Sequence, residues 1–137
     1  MFTKEITVAA DVKNLETVTA FVDECLEQID CPLRIQTQLD IAVDELFSNI
    51  AYYAYQPGTG TVTVRLEITE EPASVMLTFI DGGIPYDPLS HADPDTTLSA
   101  QERQIGGLGI FMVKKSMDAV SYQYMDGKNV LKIRKNL

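Results

Sequence analysis

Four strand-like runs fall into two adjacent pairs, and this pairing restricts the fold more than any other feature of the chain. Residues 60–69 and 73–80 alternate in polarity or are largely apolar and β-branched, and only Glu70-Glu71-Pro72 separates them. Residues 119–125 and 129–134 flank Asp126-Gly127, the dipeptide signal of a type I′ hairpin. A fifth run at residues 2–9 sets Phe2, Ile6 and Val8 against Lys4, Glu5 and Thr7, with one slip in phase. Between these runs stand helical stripes. Leu15, Val18, Phe21, Val22, Cys25, Leu26 and Ile29 step by three and four, with Asp11 or Asn14 as the expected cap and Asp30-Cys31-Pro32 as the stop. Ile35, Leu39, Ala42, Val43, Leu46, Phe47 and Ile50 form a second stripe, stopped by Gln56-Pro57-Gly58. A third runs through Ile110, Phe111, Val113 and Met117. The order is strand, helix, helix, strand, strand, long loop, helix, strand, strand. It predicts an α+β fold, a two-layer α/β sandwich with a mixed, mostly antiparallel sheet rather than a doubly wound parallel one.

At 137 residues, with no internal repeat and no linker-like stretch, the chain is expected to form one domain spanning 1–137. Apolar residues at 45% and charged residues at 23% exclude a disordered chain. A net charge of −9 argues against a nucleic-acid or anionic-membrane surface, since either needs a basic face. An acidic protein that binds a polyanion needs backbone donors and a cation such as Mg²⁺ to overcome its own field. The two cysteines, Cys25 and Cys31, fit no metal-ligand spacing and no disulfide scaffold. With no signal peptide and no apolar run of membrane length, the cytoplasm is the expected compartment.

Three constellations surround one loop. Glu45 and Asn49 are four apart on the second helix, so they stack on one face about a turn apart. A carboxylate there can accept a proton from an attacking hydroxyl, and an amide oxygen can ligate a hard cation such as Mg²⁺. Alone, this spacing is that of a solvated helix face, as Asp40 and Asp44 are expected to be. Asp81-Gly82-Gly83-Ile84-Pro85 follows an apolar strand, where a carboxylate can accept from an exocyclic amine and glycine lets a flat ring approach. Alone, it is a turn leaving a strand. Gly106-Gly107-Leu108-Gly109 opens the third helix, where inward-facing N–H groups and the helix N-terminus suit an anion. Alone, it is a flexible loop. It is neither a Walker motif nor a dinucleotide fingerprint. From Asp81 to Ile105 periodicity vanishes, and a loop of roughly twenty residues in a small domain is often a functional lid.

In this order, E-L-F-S-N, D-G-G-I-P and G-L-G resemble the N-box, D-x-G-x-P box and G-x-G box of the GHKL ATPase superfamily. The chain is most similar to the stand-alone anti-sigma factor serine kinases of bacteria, through its shortness and the Tyr52-Tyr53-Ala54-Tyr55 stretch behind the N-box. The resemblance spans nearly the whole chain and implies helices on one face of the sheet. It implies ATP and Mg²⁺ as ligands, Asn49 as the metal ligand and Glu45 as general base toward a partner serine. Asp81 would bind the adenine amino group with Gly83 shaping that pocket, and Gly107, Leu108 and Gly109 would contact the phosphates. Residues 90–105 would form the ATP lid. The implied partners are a STAS-domain anti-sigma factor antagonist, a sigma factor and a second copy of the chain.

Two positions depart from the pattern. Kinases of this group often place an arginine just before the glycine turn. Here Ile105 holds the near position, and Arg103 is the nearest arginine able to reach a γ-phosphate from the lid. Where a threonine often supports the adenine site, this chain has Lys128-Asn129, and Asn129 is expected to supply a similar hydrogen bond. A regulatory ATP-binding module that grips partners but transfers little phosphate is the alternative function. His91 is expected in solvent, Met112 and Met117 in the packing, and at least one of Tyr52, Tyr53 and Tyr55 outward.

Overall fold

The N-terminal alternation forms β1 (Phe2–Ala9), followed by a 3₁₀ turn at Val12–Asn14 and the helices α1 (Leu15–Gln28) and α2 (Leu33–Tyr53). β2 (Thr61–Glu70) and β3 (Ala73–Asp81) come next, then α3 (Gly107–Ser116), β4 (Ala119–Met125) and β5 (Lys128–Asn136). This computed structural model describes residues 2–55, 58–90 and 107–137. The sheet order is β1-β2-β3-β5-β4, and every neighbouring pair is antiparallel. The mixed sheet expected from the sequence is therefore purely antiparallel among the described residues. Asp126 and Gly127 both take positive φ, 55° and 76°, as a type I′ turn requires.

The strand registers assign each residue to a face. Val62, Val64, Leu66 and Ile68 of β2, Val75, Leu77 and Phe79 of β3, and Leu131 and Ile133 of β5 share the buried side. Val18, Val22, Cys25 and Leu26 of α1 cover it, together with the predicted α2 stripe from Ile35 to Ile50. Each such side chain taken fully out of water contributes roughly 1.5–3 kcal/mol, which is why the stripe and not helix propensity places α2. The slip in β1 is Lys4. It stands on the covered phase, but β1 is an edge strand, so the long stem runs out to the rim. There Lys4 Nζ donates to Gln28 Oε1 at 3.5 Å and lies 5.6 Å from the Phe2 ring centre.

Local chemistry differs from expectation at three points. Asp11 caps the 3₁₀ turn by accepting from the Lys13 amide at 3.0 Å, whereas Asn14 donates to the Ala9 carbonyl at 3.0 Å and leaves α1 without a side-chain cap. Met112 is exposed on α3, while Met117 is buried as expected. Asp40 is not a solvated-face residue. Its carboxyl meets Asp23 across the α1–α2 seam, and the Oδ1 atoms of both are sealed from solvent without a donor. A proton on the Asp40 carboxyl would supply the missing donor.

Burial first, then the hydrogen bond and charge of Asp23 and the charge of Glu27, push the Asp40 carboxyl up to about 7. Burial, and then the charge of Asp40, raise the Cys31 thiol. Because the folded pKa is the higher one, the folded state holds a proton that the unfolded chain has released. Stability therefore falls as pH rises from the ordinary carboxylic range toward about 7, and levels off above it. Asp40→Asn is expected to flatten that slope and raise Tm by a few degrees near pH 8. Thermal melts across this range check it, and an unchanged slope in the variant would contradict the paired carboxyls. Among the described residues no helix is long and apolar enough to cross a membrane.

Candidate functional site

α2 is the spine of the site. Glu45 and Asn49 lie a turn apart on it, as their spacing predicted, and both are half-buried. The Glu45 carboxyl packs against Gly109 in the first turn of α3. A Cβ at Gly109 would fall 2.0 Å from the Glu45 carboxyl carbon and 2.2 Å from each oxygen. Only glycine permits this approach. Burial, and then the charge of Asp44, raise the Glu45 pKa above the usual carboxylate range. A carboxylate so tuned accepts protons more readily near neutrality. The first amides of α3 have no partner within the helix, and its dipole favours an anion at that end. The carboxylate and a phosphate-suited helix end thus converge on one point.

Asn49 is half-buried and makes no side-chain hydrogen bond with another described residue, so none of these competes for its amide oxygen. Among the described residues no group of three or more acidic, histidine or cysteine side chains forms a metal cage. That donor set fits Mg²⁺ held by one protein oxygen, with phosphates and water completing the shell, as is usual for this ion.

At the other end of the site Asp81 closes β3 and is 5% exposed. Its Oδ1 accepts from the Gly83 amide at 2.9 Å and from Asn129 Nδ2 at 3.0 Å. Asn129, placed beside Asp81 by the β3–β5 register, also donates to the Ile84 carbonyl at 2.9 Å. Its own carbonyl accepts from the Tyr86 amide at 3.2 Å and from the Tyr122 hydroxyl. All four hydrogen-bonding capacities of Asn129 are therefore used within the protein. The 82–86 loop is moored to the end of α2, because the Ile84 amide donates to Ala54 O at 2.9 Å, one of the carbonyls a helix leaves unpaired. From Glu45 to its C-cap Ala54, α2 runs about 14 Å at about 1.5 Å per residue, so it joins the two ends of one elongated candidate site.

Sequence reasoning missed the supports. Tyr55 turns inward past α2, where its hydroxyl donates to the Thr61 carbonyl at 2.5 Å and accepts from the Gly82 amide at 2.7 Å. Gly60 makes room for its ring. Tyr52 and Tyr53 face outward, at 54% and 49% exposure, so the expectation of an outward tyrosine holds. The signal for Tyr55 is a tyrosine placed between the end of α2 and the Gln56-Pro57-Gly58 stop, with Gly60 just before the next strand. Gly107 and Leu108 lie in the first turn of α3. Arg103, Ile105, Gly106, His91 and most of the expected lid lie outside the described residues.

Residues 8–135 match the histidine kinase-like ATPase domain family. The chain belongs to that family. Among its relatives, the serine/threonine-protein kinase BtrW of Bordetella bronchiseptica is 33% identical over 98 residues, covering 72% of this chain and 68% of its own length. The serine-protein kinase RsbW of Listeria monocytogenes is 31% identical over 98 residues, covering 68% of this chain and 61% of its own length. RsbW of Listeria innocua is 30% identical over the same span. The chain thus matches less than two thirds of the length of the two Listeria proteins. In this histidine kinase-like ATPase domain the candidate site lies between α2, the end of β3 and the start of α3, beside a helix-covered antiparallel sheet.

Proposed function

We propose that this chain is an ATP- and Mg²⁺-dependent serine kinase that phosphorylates a STAS-domain anti-sigma factor antagonist. In the same role it sequesters a sigma factor in the cytoplasm, as a homodimer. The observation that carries the reading is the Glu45 carboxyl seated on Gly109. It puts a proton acceptor of raised pKa at the helix end suited to the terminal phosphate. The serine kinases among its relatives support the same reaction.

In this reading Asp81 takes the adenine amino group, and Gly83 shapes the floor beneath the base. The backbone of Gly107, Leu108 and Gly109 takes the phosphates, and Arg103 adds positive charge from the lid. Asn49 would hold Mg²⁺, which supplies charge neutralisation on the phosphate oxygens when bound. Glu45 accepts the proton of the partner serine hydroxyl as its oxygen bonds to the γ-phosphorus. The bond from that phosphorus to the β–γ bridging oxygen breaks, and ADP leaves with the electron pair. Most of the rate enhancement in such a transfer comes from positioning and charge neutralisation.

Incubated with radiolabelled ATP, Mg²⁺ and a STAS-domain protein of the same organism, the chain is expected to place label on a partner serine. Tight ATP binding in calorimetry without transfer would leave a nucleotide-dependent binding module and remove the kinase assignment. Absence of nucleotide binding, with Asn49→Ala without effect, would remove the site itself.

A further inference from the structure

Asn129 sits 6% exposed at a point where four hydrogen bonds meet. A primary amide has two N–H donors and two acceptor sites, and here each has a protein partner. It has nothing left to offer a ligand. Its orientation is also fixed. The Tyr86 amide and the Tyr122 hydroxyl both point donors at its oxygen. Burial raises the Tyr122 pKa further above its ordinary value, although the Tyr86 backbone lowers it in part, so the hydroxyl stays protonated and remains a donor. Rotating the amide by half a turn would set N–H against N–H on that side, and oxygen against the Asp81 carboxylate and Ile84 carbonyl on the other. The nitrogen must therefore face Asp81.

The consequence lies on Asp81. Two donors, Asn129 Nδ2 and the Gly83 amide, converge on its Oδ1. They lock the carboxylate plane and leave Oδ2 as the oxygen for a ligand. An ionised carboxylate only accepts hydrogen bonds, so Oδ2 pairs with an amino group and repels a carbonyl. We propose that Asn129 is a positioning residue that sets purine selectivity, with Tyr122 holding it from behind, so that the site takes a 6-amino purine nucleotide and rejects a 6-oxo one. This rests on Asp81 being the base-reading residue of the proposed function.

The test is competition binding of unlabelled ATP and ITP against a fluorescent ATP analogue, with the full chain and its variants. ITP keeps the phosphates and sugar and replaces the 6-amino group with oxygen. Wild type is expected to prefer ATP. Asn129→Asp keeps the shape but removes the donor and sets two carboxyls together, so one must take a proton. A protonated carboxyl can donate, and the ATP:ITP preference is expected to fall about tenfold, the factor that goes with one hydrogen bond to a charged group. Asn129→Thr, whose hydroxyl can donate to Asp81, is expected to recover part of it. Tyr122→Phe removes one of the two donors that orient the amide and is expected to lower the preference several-fold while keeping the fold. It therefore decides the matter even where Asn129→Asp does not fold. A purely structural role would weaken both nucleotides equally. An unchanged ratio in Tyr122→Phe and in any folded Asn129 variant, against a selective wild type, overturns this inference alone. A wild type that does not prefer ATP overturns Asp81 as the base reader, and this inference with it.

Discussion

Gly83→Ala is expected to lose most ATP affinity, at least about tenfold, and to destabilise the domain by about 1–3 kcal/mol. A Cβ at Gly83 would fall 2.2 Å from Ala54 O, 2.6 Å from its carbonyl carbon and 2.7 Å from its Cβ. Two of these atoms are backbone at the end of a well-packed helix, so they cannot swing away. The 82–86 loop must lift instead. Lifting it breaks the Ile84 amide bond to Ala54 and the Gly83 amide bond to Asp81, which frees the carboxylate meant to read the base. The neighbouring glycine supplies the control. A Cβ at Gly82 would meet only the Tyr55 hydroxyl at 3.6 Å, an ordinary contact, so Gly82→Ala is expected to bind ATP nearly as wild type does. Calorimetry and denaturant melts of the two variants side by side check this. Equal behaviour of the pair would mean that the close approach at Gly83 does not shape the site.

The contrast between Gly82 and Gly83 also marks what a sequence can and cannot convey. Period and turn chemistry were legible, because they depend on neighbours along the chain. The α2 stripe, the Asp126-Gly127 turn and the paired strands all formed as their spacing indicated. The Glu45–Asn49 pair on α2 was legible for the same reason. That Gly109 rests on Glu45 was not, because it depends on where α3 docks against α2, far away in sequence. For a related reason the sequence alone misplaces Asp40. Its helix phase looked solvated, but the seam with α1 brings Asp23 against it, and no local pattern encodes that meeting. Position alone assigns Asn129 to the ligand. Its four partners come from β3, the 82–86 loop and β4, and only their convergence shows that it is already satisfied.

Glu45→Gln is expected to lower phosphoryl transfer by about 10²–10⁴-fold while leaving ATP binding close to wild type, since the amide keeps the shape but cannot take a proton. The pH profile of the wild type carries a second signature. Transfer requires the ionised carboxylate, and the Glu45 pKa is raised, chiefly by burial. Activity should therefore fall, as pH drops, at a higher pH than an ordinary glutamate would give, and Glu45→Gln should lose that acid limb. Gly109→Ala should imitate the variant from the other side. The clash there is with the far end of a flexible side chain, so the Glu45 carboxyl can rotate away and the fold need not yield. The expected result is a near-normal melting temperature with kcat lowered by about 10²-fold or more, because the base has left its place. Since both changes remove one function, the double variant should be scarcely worse than Glu45→Gln alone, and the departure from additivity reports the coupling. Fully additive losses in kcat would separate the two residues and detach Glu45 from the helix end it is argued to serve.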